Sequence, residues 1–436
     1  MQRSCSICAW LARRGAVLLL GCLMLLACGT AASSPPVAAV VPTPTPVPTV
    51  TTPPARPTGR PVASPTAPTP PPATVPAGSG ALSERGVRIR ADGVLLVDGQ
   101  PFFPYGFALY PQYNTQEFRP ETLRSIAAGG FNTLHAPIRL NYPELQADAA
   151  ALGMRLIAEI YPYELDDAGI VRAIRHVKDG PALLAYAIAD DVDDGEYYTP
   201  ELVTRINQLV KTVDRQYPTY ISGFVPQRIN LFMQSADTVA MQSYPIGKTY
   251  WEHARIGHVN YALATAIAAA RPFNRPVIAN LQAFAWPEQR QPTAAEIRNM
   301  TYQALVNNVR GIIYYTYNDG YWRLEEHPTV LQALRDLAPE VRRLAPVLLD
   351  GVYTPLQTGK PDLLAAQWRY GGEVYVMVIN ATDQTSAVTV NLATPVSGAA
   401  KPVFDQRPAG MTFNAGRLQG SLQPMAVHVY VFNAAR

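Results

Sequence analysis

The chain has 436 residues and a formal net charge of +3, long enough for two folded domains and some non-globular sequence. Three arginines and no acidic residue precede position 29, so the remainder is formally neutral and offers no electrostatic reason to expect a nucleic-acid partner. All four cysteines (Cys5, Cys8, Cys22, Cys28) fall in that leading segment, which excludes a disulfide or a thiolate metal site from everything that follows.

Residues 1–28 read as a targeting segment. Arg3, Arg13 and Arg14 form a basic n-region, and GAVLLLGCLMLLA is an apolar h-region of signal-peptide length, too short for a comfortable transmembrane helix. The run ends LLAC at Cys28, followed by Gly29, and resembles the lipobox of bacterial lipoproteins, whose cysteine is lipidated and becomes the mature N-terminus. Leu26 is bulkier than that box usually prefers, which leaves plain secretion with cleavage nearby as the alternative. The expected location is outside the cell, either secreted or held to the membrane through the lipid alone. Residues 29–83 follow as a Pro/Thr-rich linker with almost no charge, a composition that cannot bury a core. At about 3.1 Å per residue such a tether reaches on the order of 100 Å or more.

From residue 84 the pattern becomes globular. VRIRADGVLLVDGQPFF reads as a short hairpin with turns at Asp92-Gly93 and Asp98-Gly99. Eight candidate strands then alternate with helical stretches: 102–107, 132–138, 154–160, 183–189, 219–224, 238–244, 276–283 and 311–317. Among the helices, residues 200–216 gather Leu202, Ile206, Leu209, Val210 and Val213 on one face, with Thr199 as N-cap and Pro200 at the first helical position. Thr293 and Glu296 have capping-box spacing. Eight strand–helix repeats predict an α/β fold, a (β/α)8 TIM barrel over 84–350. No Gly-rich phosphate loop follows the first strand, as an open doubly wound sheet would require. Residues 351–436 carry only strand patterns, among them LLAAQWRY, EVYVMVIN, SAVTVNLA and MAVHVYVF, and predict a small antiparallel β-sandwich of seven or eight strands.

The series DGVLLVDGQPFFPYGFALY, AGGFNTLHAPI, GPALLAYAIADD, RPVIANLQAF and GIIYYTYNDG resembles the (β/α)8-barrel glycoside hydrolases, in particular the clan that contains family 42 β-galactosidases, cellulases and mannanases. The likeness covers roughly residues 85–345, and the all-β tail resembles the C-terminal sandwich that many of these enzymes carry. It implies a carbohydrate substrate and no cofactor. In such enzymes the fourth strand ends in an acidic motif, often Asn-Glu or Asp-Glu, whose second residue is the general acid/base. Aligned on AYAIADD, that residue is Asp191, with Asp190 as its neighbour. Adjacent aspartates suit the task, because like charges close together disfavour ionising both.

The resemblance also implies a nucleophilic Glu at the end of strand seven, where this chain has Gln282, an amide that cannot form a useful glycosyl intermediate. Three ways out remain open: an inverting reaction with a water base such as Asp319, Glu288 or Glu159, participation by a substrate acetamido group, or loss of catalysis with sugar binding retained. The last is the alternative function, a non-catalytic surface lipoprotein that binds glycans. Carboxyl separation would discriminate inversion (about 6.5–9.5 Å) from retention (about 5–5.5 Å).

Residues just after strands are the site candidates in a barrel. Trp251, Trp286 and Trp322 follow strands six, seven and eight, and Tyr110, Tyr161, Tyr163, Tyr197, Tyr198, Tyr244, Tyr317 and Tyr321 sit at or beyond strand ends. Such rings stack on sugar C–H faces while their polar tips meet hydroxyls. The expected substrate contacts are Tyr161, Tyr244, Gln282, Trp286, Tyr317, Asp319, Trp322 and Arg139. Asp193, Asp194 and Glu196 read as a solvated loop, and His135 as a hydrogen-bonded core histidine. The six histidines show no metal-ligand spacing, and there is no serine nucleophile elbow.

Overall fold

Three short strands open the folded part: β1 (Val87–Ile89), β2 (Leu95–Val97) and β3 (Gln100–Phe102) form one antiparallel sheet. The β2–β3 turn places Asp98 at φ 49° and Gly99 at φ 81°, the paired left-handed geometry that suits a two-residue hairpin. This sheet docks where the barrel strands begin. The Val87 amide donates to the Gln216 carbonyl (2.9 Å), Arg310 Nη2 donates to the Asp92 carbonyl (2.8 Å), and Arg155 Nη2 meets Asp98 Oδ2 at 2.8 Å. The N-terminal end of the barrel is thereby covered, and side chains at the C-terminal end face the mouth.

The barrel consists of β4 (Tyr105–Leu109), β5 (Thr133–Pro137), β6 (Arg155–Glu159), β7 (Leu183–Ala189), β8 (Thr219–Gly223), β9 (Thr238–Ser243), β10 (Val277–Gln282) and β11 (Ile312–Asn318), all parallel and closed by the β11–β4 pairing. These match the eight expected strands within a few residues. Each is almost wholly buried, because a parallel sheet is covered by helices outside and by its own side chains inside.

The helices follow from their patterns and caps. They are α1 (Pro120–Ala128), α2 (Tyr142–Ala151), α3 (Asp167–Val177), α4 (Pro200–Val213), α5 (His258–Ala270), α6 (Ala294–Val306) and α7 (Pro328–Asp350). Thr199 Oγ1 accepts the Leu202 amide at 3.2 Å to open α4. The capping box of α6 is complete, with Glu296 N donating to Thr293 Oγ1 and Thr293 N donating to Glu296 Oε2. The fifth connection departs from the expected repeat: between β8 and β9 the chain makes only a 3-10 turn, Ile229–Phe232, because residues 224–237 leave no length for a full helix.

The C-terminal strands are β12 (Val352–Leu356), β13 (Leu363–Tyr370), β14 (Glu373–Asn380), β15 (Ser386–Asn391), β16 (Val396–Pro402), β17 (Met411–Asn414), β18 (Arg417–Leu422) and β19 (Val427–Ala434). Five form one antiparallel sheet, in the order β12-β13-β14-β19-β16, and three form another, β15-β18-β17. Val374, Val376 and Val378 of β14 fill the core between them, with Val390, Leu418 and Phe432. The alternate residues Met377 and Ile379 are also buried, on the face turned to the barrel helices. Two buried faces explain why EVYVMVIN reads as nearly continuous apolar sequence. Asn299 of α6 ties the two parts together, its Nδ2 donating to the carbonyls of Asn380 (2.9 Å) and Met425 (3.0 Å).

The structure, a computed structural model, describes residues 86–110, 120–139, 141–195, 197–247, 255–404 and 411–435. The described residues belong to one compact unit. The targeting segment with Cys28, the linker, Glu196 and Trp251 lie outside the described residues.

Candidate active site

The acid-rich turn after β7 divides into a structural half and a half that lines the mouth. Asp193 is fully buried, and its two oxygens accept the amides of Phe224 and Val225, each at 2.9 Å, which ties this turn to the one after β8. Burial pushes its carboxyl up to about 6, while those two bonds oppose the shift. Asp194 sits at the rim, with its carbonyl accepting from Arg228 Nη1 at 3.0 Å.

Asp190 and Asp191 face the barrel interior. Asp190 is half-buried, and its Oδ1 accepts from Ser222 Oγ and from Gln242 Nε2 (3.0 Å). Asp191 turns through left-handed backbone at φ 52° and is only 5% exposed; its Oδ1 accepts from the same Gln242 amide at 2.8 Å. One side-chain amide thus stands between two carboxyls. Burial raises both, and Asp191 is raised further by the charges of Asp190, Asp193 and Asp194. For Asp190, the Ser222 hydrogen bond pulls back toward the charged form.

A third carboxyl joins them from the neighbouring strand. Glu159 ends β6, is 6% exposed, and is pushed up to about 8, first by burial and then by the charge of Asp190. A hydrogen bond from Tyr110 and the Arg139 cation oppose that shift. Its Oε2 lies 3.5 Å from Nε2 of His135 on β5, a ring that burial pushes down to about 3 and so keeps neutral. The buried hydroxyls of Tyr198 and Tyr220 both feel the charges of Asp190 and Glu159. Carboxyls this close in a poorly solvated mouth cannot all ionise near neutral pH.

Rings complete the wall. Trp286 approaches Tyr244 (6.4 Å between centroids), Tyr244 approaches Tyr315 (5.9 Å), Tyr315 approaches Tyr110 (6.1 Å), Tyr110 approaches His135 (5.9 Å), and His135 approaches Tyr220 (5.3 Å). The Tyr220 hydroxyl reaches past β9 to donate to Asn280 Oδ1 at 3.0 Å. Outside the mouth a second series of rings runs from Tyr161 through Tyr163 and Tyr197 to Tyr198, and Tyr197 is 51% exposed.

The expected contact residues separate by position. Tyr244 and Trp286 lie on the wall, and Arg139 stands 5.9 Å from the Tyr161 ring. Asp319 accepts from the Tyr315 hydroxyl (3.1 Å) and from the amides of Tyr321 and Trp322, which shapes the turn after β11. Trp322 lies flat against His327 at 3.5 Å. Tyr317 turns to the outer side of the barrel, beside Phe107, and donates to Glu325 at 2.7 Å. Glu288, one of the three suggested bases, is exposed. His135 is buried, as a core histidine would be, and its Nε2 faces the Glu159 carboxyl.

Gln282 is fully buried and wholly engaged: its Oε1 accepts the Ile246 amide (2.8 Å) and its Nε2 donates to the carbonyls of Ile246 (2.9 Å) and Phe284 (3.0 Å). The amide clamps the turn after β9. A carboxylate there would set oxygen against two carbonyl oxygens. Gln282→Glu is therefore expected to cost about 2–4 kcal/mol of stability, read as a lower melting temperature, and to bring no gain in sugar release.

Sequence reading missed Ser222, Gln242, Tyr220, Asn280 and Tyr315. A signal for most of them was present. In YISG, AMQS and ANLQ, one or two polar residues interrupt otherwise apolar strands that a barrel buries on both faces, and such residues need partners inside. Among the described residues, no group of three or more His, Cys, Asp or Glu side chains is arranged to hold a metal ion.

No protein-family model matches the sequence, and no curated protein matches it. Solved structures do. A maltogenic α-amylase, AmyB from Thermotoga neapolitana, superposes with a TM-score of 0.52 at 11% identity, over 76% of this chain and 99% of that one. Amy13B from Eubacterium rectale gives 0.53 at 10% identity over 76% and 96%. A GH27 β-L-arabinopyranosidase from Geobacillus stearothermophilus, in complex with arabinose, gives 0.53 at 12% identity over 77% and 97%. What they share with this chain is the fold. That fold is a (β/α)8 barrel followed by an antiparallel β-sandwich, as the order of strands predicted.

Proposed function

We propose that this chain is an exported, surface-tethered glycoside hydrolase that cleaves the glycosidic bonds of an oligo- or polysaccharide at the C-terminal mouth of its barrel. One observation carries this reading: three carboxyls poorly reached by water, Asp190, Asp191 and Glu159, stand at the ends of two adjacent strands inside a wall of tyrosine and tryptophan rings. Glycosidic cleavage needs a carboxyl that gives a proton and a second that receives one or attacks. The rings suit the C–H faces of a sugar, and the tyrosine hydroxyls suit its polar rim. Neighbours in fold that are named as an amylase and an arabinopyranosidase favour the same class of substrate.

In this assignment Asp190, the more open of the aspartates, exchanges a proton with the reacting atoms. Asp191 is held back by its turn and keeps Gln242 in place. Tyr161, Tyr244, Trp286 and Tyr315 contact the sugar, with Arg139, Asp319 and Trp322 at the rim, while Gln282 and Tyr317 brace the wall from behind. Cys28 carries the lipid anchor, and residues 29–83 hold the catalytic unit away from the membrane. A binding-only protein is the second reading, favoured by the amide at position 282, whose polar atoms are all engaged by backbone.

Incubation with a panel of plant and bacterial polysaccharides separates the two. New reducing ends that depend on Asp190 support hydrolysis. Retention on a glycan without release, by wild type and Asp190→Asn alike, supports binding alone.

A further inference from the structure

Resting on the hydrolase reading, we infer that Glu159, at the end of the third barrel strand, is the group that protonates the departing glycosidic oxygen, while the carboxylate of Asp190 takes the proton of the attacking water. This exchanges the roles that the strand-four resemblance implied and supplies the second carboxyl that strand seven lacks.

The geometry begins with two orphans. His135 Nε2 and Glu159 Oε2 are both fully buried, face each other at 3.5 Å and, among the described residues, have no other hydrogen-bond partner. Buried polar atoms without partners are uncommon and need a reason. A proton on Glu159 aimed at the imidazole lone pair satisfies both atoms at once, provided the His135 proton is on Nδ1. Asp190 is placed differently. Two donors, Ser222 Oγ and Gln242 Nε2, converge on one of its oxygens, which is the arrangement that holds negative charge.

The groups facing Glu159 from each element agree. His135 on β5 is neutral, and Tyr142, Tyr198 and Tyr220 hold their protons. Tyr110 and Arg139 favour its carboxylate, and the Asp190 charge disfavours it together with burial. The balance holds the proton on Glu159 to a pH of about 8. Burial raises both carboxyls, but two donors pull Asp190 back toward its charged form while Oε2 of Glu159 faces a neutral imidazole, and that difference separates a base from an acid.

The step balances as follows. The Glu159 proton passes to the glycosidic oxygen as the bond from that oxygen to the anomeric carbon breaks. Water bonds to the anomeric carbon from the opposite side and gives its proton to Asp190. Asp190 then loses a proton to solvent and Glu159 regains one.

The test uses 2,4-dinitrophenyl and phenyl glycosides of glucose, galactose, mannose, xylose and arabinose. A dinitrophenolate departs without help, whereas phenolate needs a proton. Glu159→Gln is expected to lower kcat/KM on the phenyl glycosides by about 10³-fold and on the dinitrophenyl glycosides by less than about tenfold. The alkaline limb of the wild-type pH profile, falling near pH 8, should also vanish. Equal losses on both leaving groups, or a retained alkaline limb, overturn the assignment of Glu159 and leave the hydrolase reading standing. Should Glu159→Gln fail to fold, Glu159→Asp withdraws the proton by one methylene and is judged by the same leaving-group contrast. Wild-type protein that releases neither phenol from any of these sugars, and no reducing ends from polysaccharide, sinks the hydrolase reading and this inference with it.

Discussion

Asp190→Asn is expected to lower the release of reducing ends by about 10³-fold or more. The loss has two sources. In the proposed reaction the substitution removes the carboxylate that would accept a proton from water, and the new amide can place an N–H where Ser222 and Gln242 already donate. The melting temperature should change little, because Asp190 is half-buried and its neighbours can turn to water. Asp191→Asn should cost less, since that carboxyl is turned inward, where its Oδ1 accepts from the Gln242 amide. A proton NMR time course of wild type should show the anomeric configuration of the first-formed sugar inverted, as attack by water requires. Reducing-end assays of the two variants side by side check the ranking. A fully active Asp190→Asn would remove Asp190 from the chemistry.

The largest expected effect on stability lies at Gly106, in the strand that closes the barrel. A β-carbon at this position would lie 1.7 Å from the carbonyl oxygen of Thr133 and 2.6 Å from its carbonyl carbon. Both are backbone atoms of β5, and Gly106 is paired with Thr133 in the β4–β5 ladder. No rotamer can relieve the contact, so the two strands must part. Gly106→Ala is expected to cost more than about 4 kcal/mol, and thermal melts should show a fall on the order of 10 °C or insoluble protein. A melt close to wild type would mean that β4 is not held at this register. The same variant should lose sugar release, because β4 leads directly to Tyr110 and β5 carries His135.

The fold was legible because barrel strands announce themselves. Each is a short, nearly unbroken apolar run, and all but the fifth are followed by a helix, two of which open on the caps read at Thr199 and Thr293. Only the fifth repeat departed, and there the shortness of residues 224–237 was visible in the sequence. The function of individual side chains was harder to read. Tyr315 and Tyr317 are both tyrosines two positions apart, yet one joins the mouth and the other turns outward to Phe107 and Glu325. Strict alternation would have put them on one face, but the β11–β4 register shifts between Tyr314 and Asn318. Across that break β11 advances four residues while β4 advances two, so simple alternation no longer tells which side chains meet the interior.

The sequence by itself determined the strand and helix order, the all-β tail, the carboxyl-rich turn after the fourth strand and the missing carboxyl on the seventh. These are local: hydrophobic period, caps and residue identity belong to neighbouring positions on the chain. Tertiary structure alone decided that Asp193 braces a turn, that Asp190 is more open than Asp191, and that Glu159, His135, Ser222 and Gln242 share one place with them. Those facts depend on which strands lie side by side and how far each side chain is removed from water. Burial and the charges of distant residues set where a carboxyl keeps its proton, and neither is a property of a residue's neighbours in sequence.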